Sequence, residues 1–244
     1  MACEENIRKE YLVVRTPAVF DITEEWKKDI RKIFSYADVF IYQKVKEDSR
    51  WGIWAETDYI LTSLSMHCKI ICIPVAYFTG YFPGYHKSLA GKDVMPYRDR
   101  FIDERMECTC IEILKYGCAL KQDEILYNAS QSLMELRKRE QEADIVISDY
   151  IENRWKQEQL FYTVNHLSTS LYKEICKSIL NLLGIVKINY IDDILEHNGV
   201  TQLIWPCVEA LLDFKQEYLF FNKTIDNNTY NKQEWIEKYL ELYR

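Results

Sequence analysis

Residues 69–75 read KIICIPV, a continuous apolar run with the length of one β-strand. Residues 38–43, DVFIYQ, form a second run of β-branched and aromatic residues, and residues 54–66 between the two runs fit a helix. Continuous apolar strands that are separated by helices are typical of a parallel sheet covered on both faces. Residues 11–15, YLVVR, predict an earlier strand, so that residues 11–75 have the order β-α-β-α-β.

The helix predicted between the first two strands begins with a capping box. Asp21 is followed three residues later by Glu24, and apolar side chains then recur at helical spacing up to Phe34. This amphipathic helix connects the strand at residues 11–15 to the strand at residues 38–43.

The remainder of the chain is predicted to be mainly helical. Residues 98–160 carry a long, charge-rich helical pattern, in which only residues 144–148, DIVIS, resemble a further short strand. Residues 171–183 place apolar side chains on one helix face, and Gly184 supplies a C-terminal stop. Residues 233–243 form the last predicted helix.

These patterns predict an α/β protein. A small, mainly parallel sheet lies in the N-terminal part, residues 1–97, and is covered by helices, while residues 98–244 are predominantly helical. No internal repeat, low-complexity tract or flexible linker divides the chain, so we expect a single domain over residues 1–244. A hydrophobic content of 48% is enough for one large core.

Charge and composition argue against several classes of protein. The 31 Lys and Arg residues against 38 acidic residues give a formal charge of −7, which makes nucleic acid a poor partner. The longest apolar stretch, residues 70–78, is far shorter than the roughly 18 to 20 residues that cross a bilayer, and the charged N-terminus does not resemble an export signal. We therefore expect a cytoplasmic protein without a transmembrane segment.

The cysteines do not have the spacing of a metal site. In a reducing compartment we expect all eight to be thiols, and no two pairs show the two-residue gaps that zinc ribbons need. The sequence therefore predicts neither a disulfide framework nor a bound metal.

The segment QLFYTVNHLSTSLYKEI, residues 159–175, places a histidine where an apolar run ends and a helix begins. Asn165 and His166 occur together there, and Ser168 is one of three hydroxyl residues that can cap the helix. A histidine beside the N–H groups of a helix start can act as a general acid or base next to an anion or oxyanion. The alternative is a histidine that only donates a buried hydrogen bond, with hydroxyls that only cap the helix.

The loop TGYFPGYH, residues 79–86, is a candidate wall for a ligand pocket. Its aromatic rings, including Tyr81 and Phe82, could line the pocket while Gly80 lets a ligand approach the backbone. The alternative is an aromatic turn that packs on the core.

Gln43 and Arg139 are further candidate binding residues. Ligands of parallel sheets bind beyond the carboxyl ends of the strands, and Gln43 ends the second predicted strand. Arg139 belongs to a cluster of three basic residues that could bind the phosphates of a cofactor. The alternative for the cluster is a solvated helix face with neighbouring glutamates as partners.

Six segments together resemble the WcbI family of polysaccharide-biosynthesis proteins, over roughly residues 11–240. The segments are ADVFIYQKV (37–45), CIPVAYFTGYFP (72–83), ELRKRE (135–140), ISDYI (147–151), LFYTVNHLS (160–168) and WPCVEALLDF (205–214). The combination of an IYQ strand end, a GYFP loop and an F-x-T-x-N-H segment is more specific than any one of them.

This resemblance implies a bacterial acyltransferase that binds coenzyme A or acetyl-CoA and acetylates a sugar hydroxyl, in a glycan precursor of a capsular or surface polysaccharide. It implies a mostly helical fold around a small sheet and a catalytic role for His166. Gln43 and the loop from Gly80 to Pro83 match positions that face the pocket. In this mechanism Asn165 and the backbone near Ser168 orient the ring or stabilise the oxyanion.

One departure from the family pattern favours a second hypothesis. Members of the family resemble one another in a Gly-Asn-Cys-Gln turn after their first strand, and this chain has no such turn. A non-catalytic relative that binds coenzyme A or a glycan as a scaffold is therefore the alternative. A nucleotide-sugar glycosyltransferase ranks last, because Asp192-Asp193 lies in a predicted helix rather than at a strand end. The acceptor sugar, the acyl group and the oligomeric state stay open.

Overall fold

The computed structural model describes residues 7–16, 22–45, 52–92, 95–185, 200–213, 222–223 and 228–244. The chain forms two compact units, each built from segments that are distant in the sequence. Unit 1 comprises Met1–Val75, Lys138–Val146 and Lys173–Asp193, and unit 2 comprises Ala76–Arg137, Ile147–Tyr172 and Ile194–Arg244. The single domain expected over residues 1–244 is not tested by this grouping and stays a prediction.

Helices and strands alternate in the first part of the chain, and helices predominate later. Residues 7–10 are helical, and the further described helices of four or more residues are α1 (Glu24–Ser35), α2 (Thr57–Leu61), α3 (Arg100–Asp103), α4 (Cys110–Gly117), α5 (Gln122–Glu140), α6 (Ser148–Arg154), α7 (Thr169–Leu182), α8 (Pro206–Glu209) and α9 (Lys232–Tyr243). The described strands are β1 (Val39–Gln43), β2 (Lys69–Ile73), β3 (Tyr85–Lys92), β4 (Met95–Asp99), β5 (Asn222–Lys223) and β6 (Thr229–Tyr230). The predicted α/β class is confirmed.

Unit 1 contains the parallel sheet that the apolar runs predict. β1 and β2 pair in parallel along the whole length of both strands. α1 precedes β1 and buries Ile30 and Phe34. The ring of Phe34 packs edge-on against the ring of Phe40 in β1, with 5.0 Å between the ring centroids. The helix-then-strand order expected from residues 22–43 is therefore correct.

Neither the predicted strand at residues 11–15 nor the strand-like segment at residues 144–148 forms a strand. No described strand pairs with residues 11–16, and Leu12 and Val14 expose 93% and 59% of their surface. Residues 144–147 also form no strand. Asp144 contacts β2 through one backbone bond and through its side chain, which accepts the backbone N–H of Cys72 at 2.6 Å. An apolar run becomes a strand only where a neighbour supplies ladder hydrogen bonds, and the sequence pattern does not contain that neighbour.

The helix ends follow local sequence signals, with one correction. Asp21 of the predicted capping box lies outside the described residues, and the cap of α1 is Thr23, whose side chain accepts the N–H of Trp26 at 3.3 Å. Gly184 follows α7 with φ of +72°, a left-handed conformation that favours glycine. The predicted stop of that helix is therefore confirmed.

An antiparallel hairpin in unit 2, which the sequence analysis missed, leads into the core. β3 pairs with β4 between the partners Tyr85↔Asp99 and Lys92↔Met95, with an irregular register between them. β4 ends at Asp99, and α3 begins at the next residue. The last residue of the hairpin, Asp99, is therefore also the N-cap of α3.

Asp99 is a buried carboxylate with only 1% of its surface exposed. One carboxylate oxygen accepts the indole N–H of Trp205 at 2.9 Å, and the other accepts the backbone N–H of Phe101 at 2.9 Å. The backbone of Gly84 lies so close that an added Cβ would fall 2.2 Å from the carboxylate. Burial outweighs these hydrogen bonds and raises the pKa of Asp99 from 3.8 to about 6. Asp99 thus links the hairpin, α3 and Trp205.

Replacing Asp99 by Ala should lower the free energy of unfolding by about 2 to 4 kcal/mol, because two buried donors, one of them the capped N–H of Phe101 in α3, lose their acceptor. The measurement is urea denaturation at about pH 5, where most of the carboxyl is protonated in the folded state. Asp213→Ala is the matched control, because Asp213 is exposed, and it should change the free energy by less than about 0.5 kcal/mol. Equal effects of the two substitutions would contradict the assignment.

The raised pKa of Asp99 also predicts a pH dependence of stability. Between 3.8 and about 6 the folded protein binds more protons at this group than the unfolded chain does. Its contribution is therefore fully present at low pH and is lost as the pH rises through about 6. The difference in unfolding free energy between the wild type and Asp99→Asn, which cannot titrate, should change across this window and be constant above it. A difference that is constant throughout would show that Asp99 has an ordinary pKa.

Candidate functional site

Asn165 and His166 lie at the tip of a tight backbone turn in unit 2. The N–H of Tyr162 donates to the carbonyl oxygen of His166 at 2.8 Å. Below this bond, Phe161 and Leu167 form an isolated antiparallel bridge. Most side chains in the arms of the turn are buried, whereas Asn165 and His166 are exposed. The apolar run before the histidine therefore anchors the turn, and the two polar residues keep access to solvent.

Two neighbouring segments of unit 2 fix the turn through its backbone. The N–H of Phe78 donates to the carbonyl of Val164 at 2.8 Å, and the N–H of Gln202 donates to the carbonyl of Tyr162 at 2.9 Å. Backbone bonds of this kind resist rotation of the turn as a whole. Asn165 and His166 therefore sit on a rigid support.

Thr163 connects the backbone of the turn to its two polar side chains. The residue is fully buried, and its hydroxyl accepts the backbone N–H of His166 at 3.1 Å. The same oxygen lies 2.7 Å from Nδ1 of His166 and 3.2 Å from Oδ1 of Asn165. One hydroxyl thus holds the inner edge of the imidazole and the inner edge of the amide.

Tyr97 of β4 also contacts these side chains, so that Tyr97, Thr163, Asn165 and His166 form one polar cluster. Its hydroxyl lies 2.8 Å from Oδ1 of Asn165 and 3.1 Å from Nδ1 of His166. Its ring meets the imidazole edge-on, with 6.1 Å between the centroids. No sequence motif marks Tyr97, and only the unpredicted β3–β4 hairpin brings it to this turn.

The cluster favours a neutral imidazole. Although His166 as a whole is exposed, the ring edge that faces Thr163 is desolvated, and this lowers the pKa of His166 below 6.5. Desolvation raises the pKa of Tyr97, so both groups are uncharged at neutral pH. In the part of the chain that the structure describes, no hydrogen bond involves Nε2 of His166. The outer edge of a neutral, fixed imidazole is therefore open to a substrate.

Ser168 has the capping role that one of the two sequence interpretations gave it. The residue is buried, with 3% of its surface exposed. Its hydroxyl accepts the N–H of Leu171 at 3.4 Å, at the start of α7. Its backbone N–H donates to the carbonyl of Leu160 and so closes the base of the turn.

The rings of Tyr81 and Phe82 do not line a solvent-filled pocket, which corrects the expectation for this loop. Both side chains have at most 1% of their surface exposed. The hydroxyl of Tyr81 donates to backbone carbonyls, with Trp155 at 2.6 Å, and accepts the N–H of Leu160 at 3.3 Å. Burial raises the pKa of Tyr81, so the phenol stays protonated. The aromatic loop packs on the core and supports the first residue of the His166 turn.

Gly80 has a packing role in the same loop. A Cβ at this position would lie 2.3 Å from the ring of Phe78, which would have to move. Gly80 therefore admits the ring of a core phenylalanine, rather than a ligand, to its backbone.

Gln43 and Arg139 come together in unit 1, at the carboxyl end of the parallel sheet. The amide of Gln43 donates to the carbonyl of Pro74 at 3.3 Å, and a guanidinium N–H of Arg139 donates to the carbonyl of Val75 at 2.8 Å. Both carbonyls belong to the loop that follows β2. The edge that sequence reasoning nominated for ligand binding therefore carries an exposed amide and a half-buried guanidinium.

Lys44 and Arg137, which flank this pair in the sequence, form salt bridges. Lys44 pairs with Glu142 at 2.9 Å in unit 1, and Arg137 pairs with Asp149 and Glu152 in unit 2. Arg137 therefore fits the interpretation that the three basic residues 137–139 form a solvated helix face with acidic partners. Arg139, on the same helix, donates to the carbonyl of Val75 in the loop after β2.

A comparison with protein families identifies the chain. A family model described as "Polysaccharide biosynthesis enzyme WcbI" matches residues 4–187. This chain belongs to the WcbI family. It is also similar to a solved structure of WcbI, described as a novel polysaccharide biosynthesis enzyme, with a TM-score of 0.86 and 20% sequence identity. That comparison covers 99% of this chain and 83% of the other. No curated protein sequence matches this chain.

That WcbI structure is described as the native protein without a disulfide bond between coenzyme A and a cysteine. At 20% identity the likeness shows a shared fold. Family membership makes this chain a relative of polysaccharide biosynthesis enzymes, as its sequence segments predict.

Among the residues that the structure describes, no three or more His, Cys, Asp or Glu side chains are grouped so that they could hold a metal ion. No described helix is both long and apolar enough to cross a membrane.

The environment of His166 predicts a pKa below 6.5, because burial disfavours the imidazolium. The measurement is an NMR titration of the imidazole carbon-bound protons, with the signals assigned by their loss in His166→Gln. A titration midpoint at or above 6.5 would mean that an unrecognised anion stabilises the charged ring.

Proposed function

We propose that this WcbI-family protein transfers an acetyl group from acetyl-CoA to a sugar hydroxyl in the synthesis of a capsular or surface polysaccharide. The observation that carries the proposal is a neutral, solvent-accessible imidazole, His166, whose Nδ1 is held by Thr163 at 2.7 Å. The polysaccharide biosynthesis family and the coenzyme A of the related structure support the class of reaction. Because acetyl-CoA is an intracellular thioester, a cytoplasmic site of action belongs to the same proposal.

His166 is the general base of this reaction. With a proton on Nδ1, donated to the hydroxyl of Thr163, Nε2 carries a lone pair that accepts the proton of the sugar hydroxyl. The sugar oxygen then attacks the thioester carbonyl carbon. When the carbon–sulfur bond breaks, the imidazolium returns its proton to the departing thiolate. The products are an acetyl ester and the free thiol of coenzyme A.

Asn165 stabilises the negative charge that develops during the attack. Its Oδ1 faces Tyr97 and Thr163, so the amide nitrogen is its remaining polar group. A side-chain amide that donates to the tetrahedral oxyanion typically contributes about 10² to 10³ in rate. Asn165 would thus stabilise the oxyanion, and His166 would activate the sugar hydroxyl, in the same step.

The edge of the sheet in unit 1 supplies a binding site for coenzyme A in this proposal. Arg139 offers a guanidinium, which binds phosphate through two parallel hydrogen bonds. Gln43 offers an amide to the amide-rich arm of the same molecule. Tyr81 and Ser168 bond to Leu160 at the base of the His166 turn, and the buried ring of Phe82 packs against Tyr81. We assign these three residues to the support of the turn.

His166→Gln should lower kcat by about 10² to 10⁴, because the variant loses the base but keeps a polar side chain of similar size. The measurement is thiol release from acetyl-CoA in the presence of candidate sugars. His67→Gln is the matched control, because His67 is exposed in unit 1, and it should keep full turnover. Near-normal turnover of His166→Gln would remove His166 from the mechanism.

Arg139→Leu should weaken coenzyme A binding by about 10-fold, because one charge-assisted phosphate contact is lost. Arg137→Leu, two residues away on α5, should leave the dissociation constant unchanged, since Arg137 pairs with Asp149 and Glu152. Calorimetry measures both constants, and thermal unfolding shows whether the loss of the Val75 contact disturbs the fold. Equal affinity in the two variants would place the coenzyme elsewhere.

The second candidate function is a non-catalytic scaffold that binds coenzyme A or a glycan. The absence of a Gly-Asn-Cys-Gln segment from the sequence favours it. Calorimetry with coenzyme A, followed by the thiol-release assay, separates the two functions. Binding without release supports the scaffold, and release supports the transferase.

A further inference from the structure

We propose that Tyr97 is a positioning residue that fixes the Asn165 amide with its nitrogen toward the acyl carbonyl oxygen of the substrate. The inference rests on the proposed acyl transfer for its substrate, and on the geometry of four side chains for its mechanism. Tyr97 acts through Asn165 and is not assigned contact with the substrate.

The protons in the cluster determine the hydrogen-bond directions. Tyr97 and Thr163 each carry one hydroxyl proton and lie within hydrogen-bond reach of each other. Two further acceptor atoms face them, Oδ1 of Asn165 and Nδ1 of His166. Tyr97 is closer to Oδ1, at 2.8 Å against 3.1 Å for Nδ1. Thr163 is closer to Nδ1, at 2.7 Å against 3.2 Å for Oδ1. The two shorter contacts therefore pair Tyr97 with the amide and Thr163 with the imidazole.

Tyr97 keeps this pairing in both neutral forms of the imidazole. If Nε2 carries the proton, Thr163 donates to Nδ1 and Tyr97 donates to Asn165. If Nδ1 carries the proton, it donates to Thr163, whose own proton joins that of Tyr97 at Oδ1 of Asn165. The amide oxygen is thus an acceptor in either form. If the amide exchanged its two ends, its nitrogen would face both hydroxyls, and of the two acceptor atoms only Nδ1 of His166 would remain for the two hydroxyl protons.

The position of Tyr97 is itself fixed by the core. Tyr97 lies two residues before Asp99 in β4, and the buried carboxylate of Asp99 accepts the indole N–H of Trp205 at 2.9 Å. Burial raises the pKa of Tyr97, so the phenol remains a donor at neutral pH. A rigid donor that enforces one orientation of an amide lowers the cost of ordering that amide in the transition state.

Tyr97→Phe tests the inference because it keeps the ring and removes only the hydroxyl. Tyr85→Phe is the matched control. Tyr85 is in β3 of the same hairpin, with its ring 6.3 Å from that of Tyr97. For Tyr97→Phe we expect kcat about 10-fold lower and the KM for acetyl-CoA within about 2-fold of the wild type. For Tyr85→Phe we expect both parameters to be unchanged.

A double-mutant cycle shows whether Tyr97 acts through Asn165. In the Asn165→Ala background, Tyr97→Phe should cause no further loss of kcat, since the amide that it orients is gone. A full additional 10-fold loss in that background would overturn the positioning role. An unchanged kcat of Tyr97→Phe in the wild-type background would also overturn it.

The NMR signals of the Asn165 side-chain amide provide a readout that does not depend on activity. The two amide protons, assigned by their loss in Asn165→Ala, should broaden or shift in Tyr97→Phe and stay unchanged in Tyr85→Phe. Unchanged signals in Tyr97→Phe would contradict the inference even if the transferase activity exists. If the wild type transfers no acetyl group, the proposed function fails, and the NMR comparison still decides the positioning role.

Discussion

The buried hydroxyl of Thr163 is the contact on which the candidate site depends. It accepts the backbone N–H of His166 and lies 2.7 Å from the imidazole Nδ1. A backbone turn alone would leave two exposed polar side chains free to rotate. Because the hydroxyl is sealed in the core, it converts the turn into a fixed arrangement of one imidazole and one amide.

The described partners of the imidazole are uncharged, and this limits the chemistry of the site. Neutral hydroxyls orient the ring without stabilising an imidazolium as a carboxylate would. Burial lowers the pKa of His166 further, so the ring is a weak base that is ready to accept a proton at neutral pH. A weak base fits the attack of a hydroxyl on a thioester, which is an activated acyl donor. The same balance would fit amide hydrolysis poorly.

The sequence predicted those parts of the fold whose signals are local. β1, β2 and α1 follow from apolar runs and helical spacing. The stop at Gly184 follows from the residue type, because glycine readily adopts the left-handed conformation that ends a helix. Strand partners are not local, so residues 11–15 were wrongly predicted to be a strand, residues 144–148 only resemble one, and the β3–β4 hairpin was missed. The motif around His166 was visible, but Tyr97 was not, because only the hairpin brings it to Asn165. The sequence likewise does not show whether an aromatic side chain lines a pocket or lies in the core. Tyr81 lies in the core.

Thr163→Ser and Thr163→Val test the central claim most directly, because serine keeps the hydroxyl and valine keeps the shape. The measurement is kcat for thiol release from acetyl-CoA, together with the thermal midpoint of each variant. The account predicts that Thr163→Ser keeps kcat within about 3-fold while Thr163→Val loses about 10² or more, since a misplaced base loses rate even in a folded protein. Full turnover in Thr163→Val would contradict it, because the imidazole would then act without the contact that holds it.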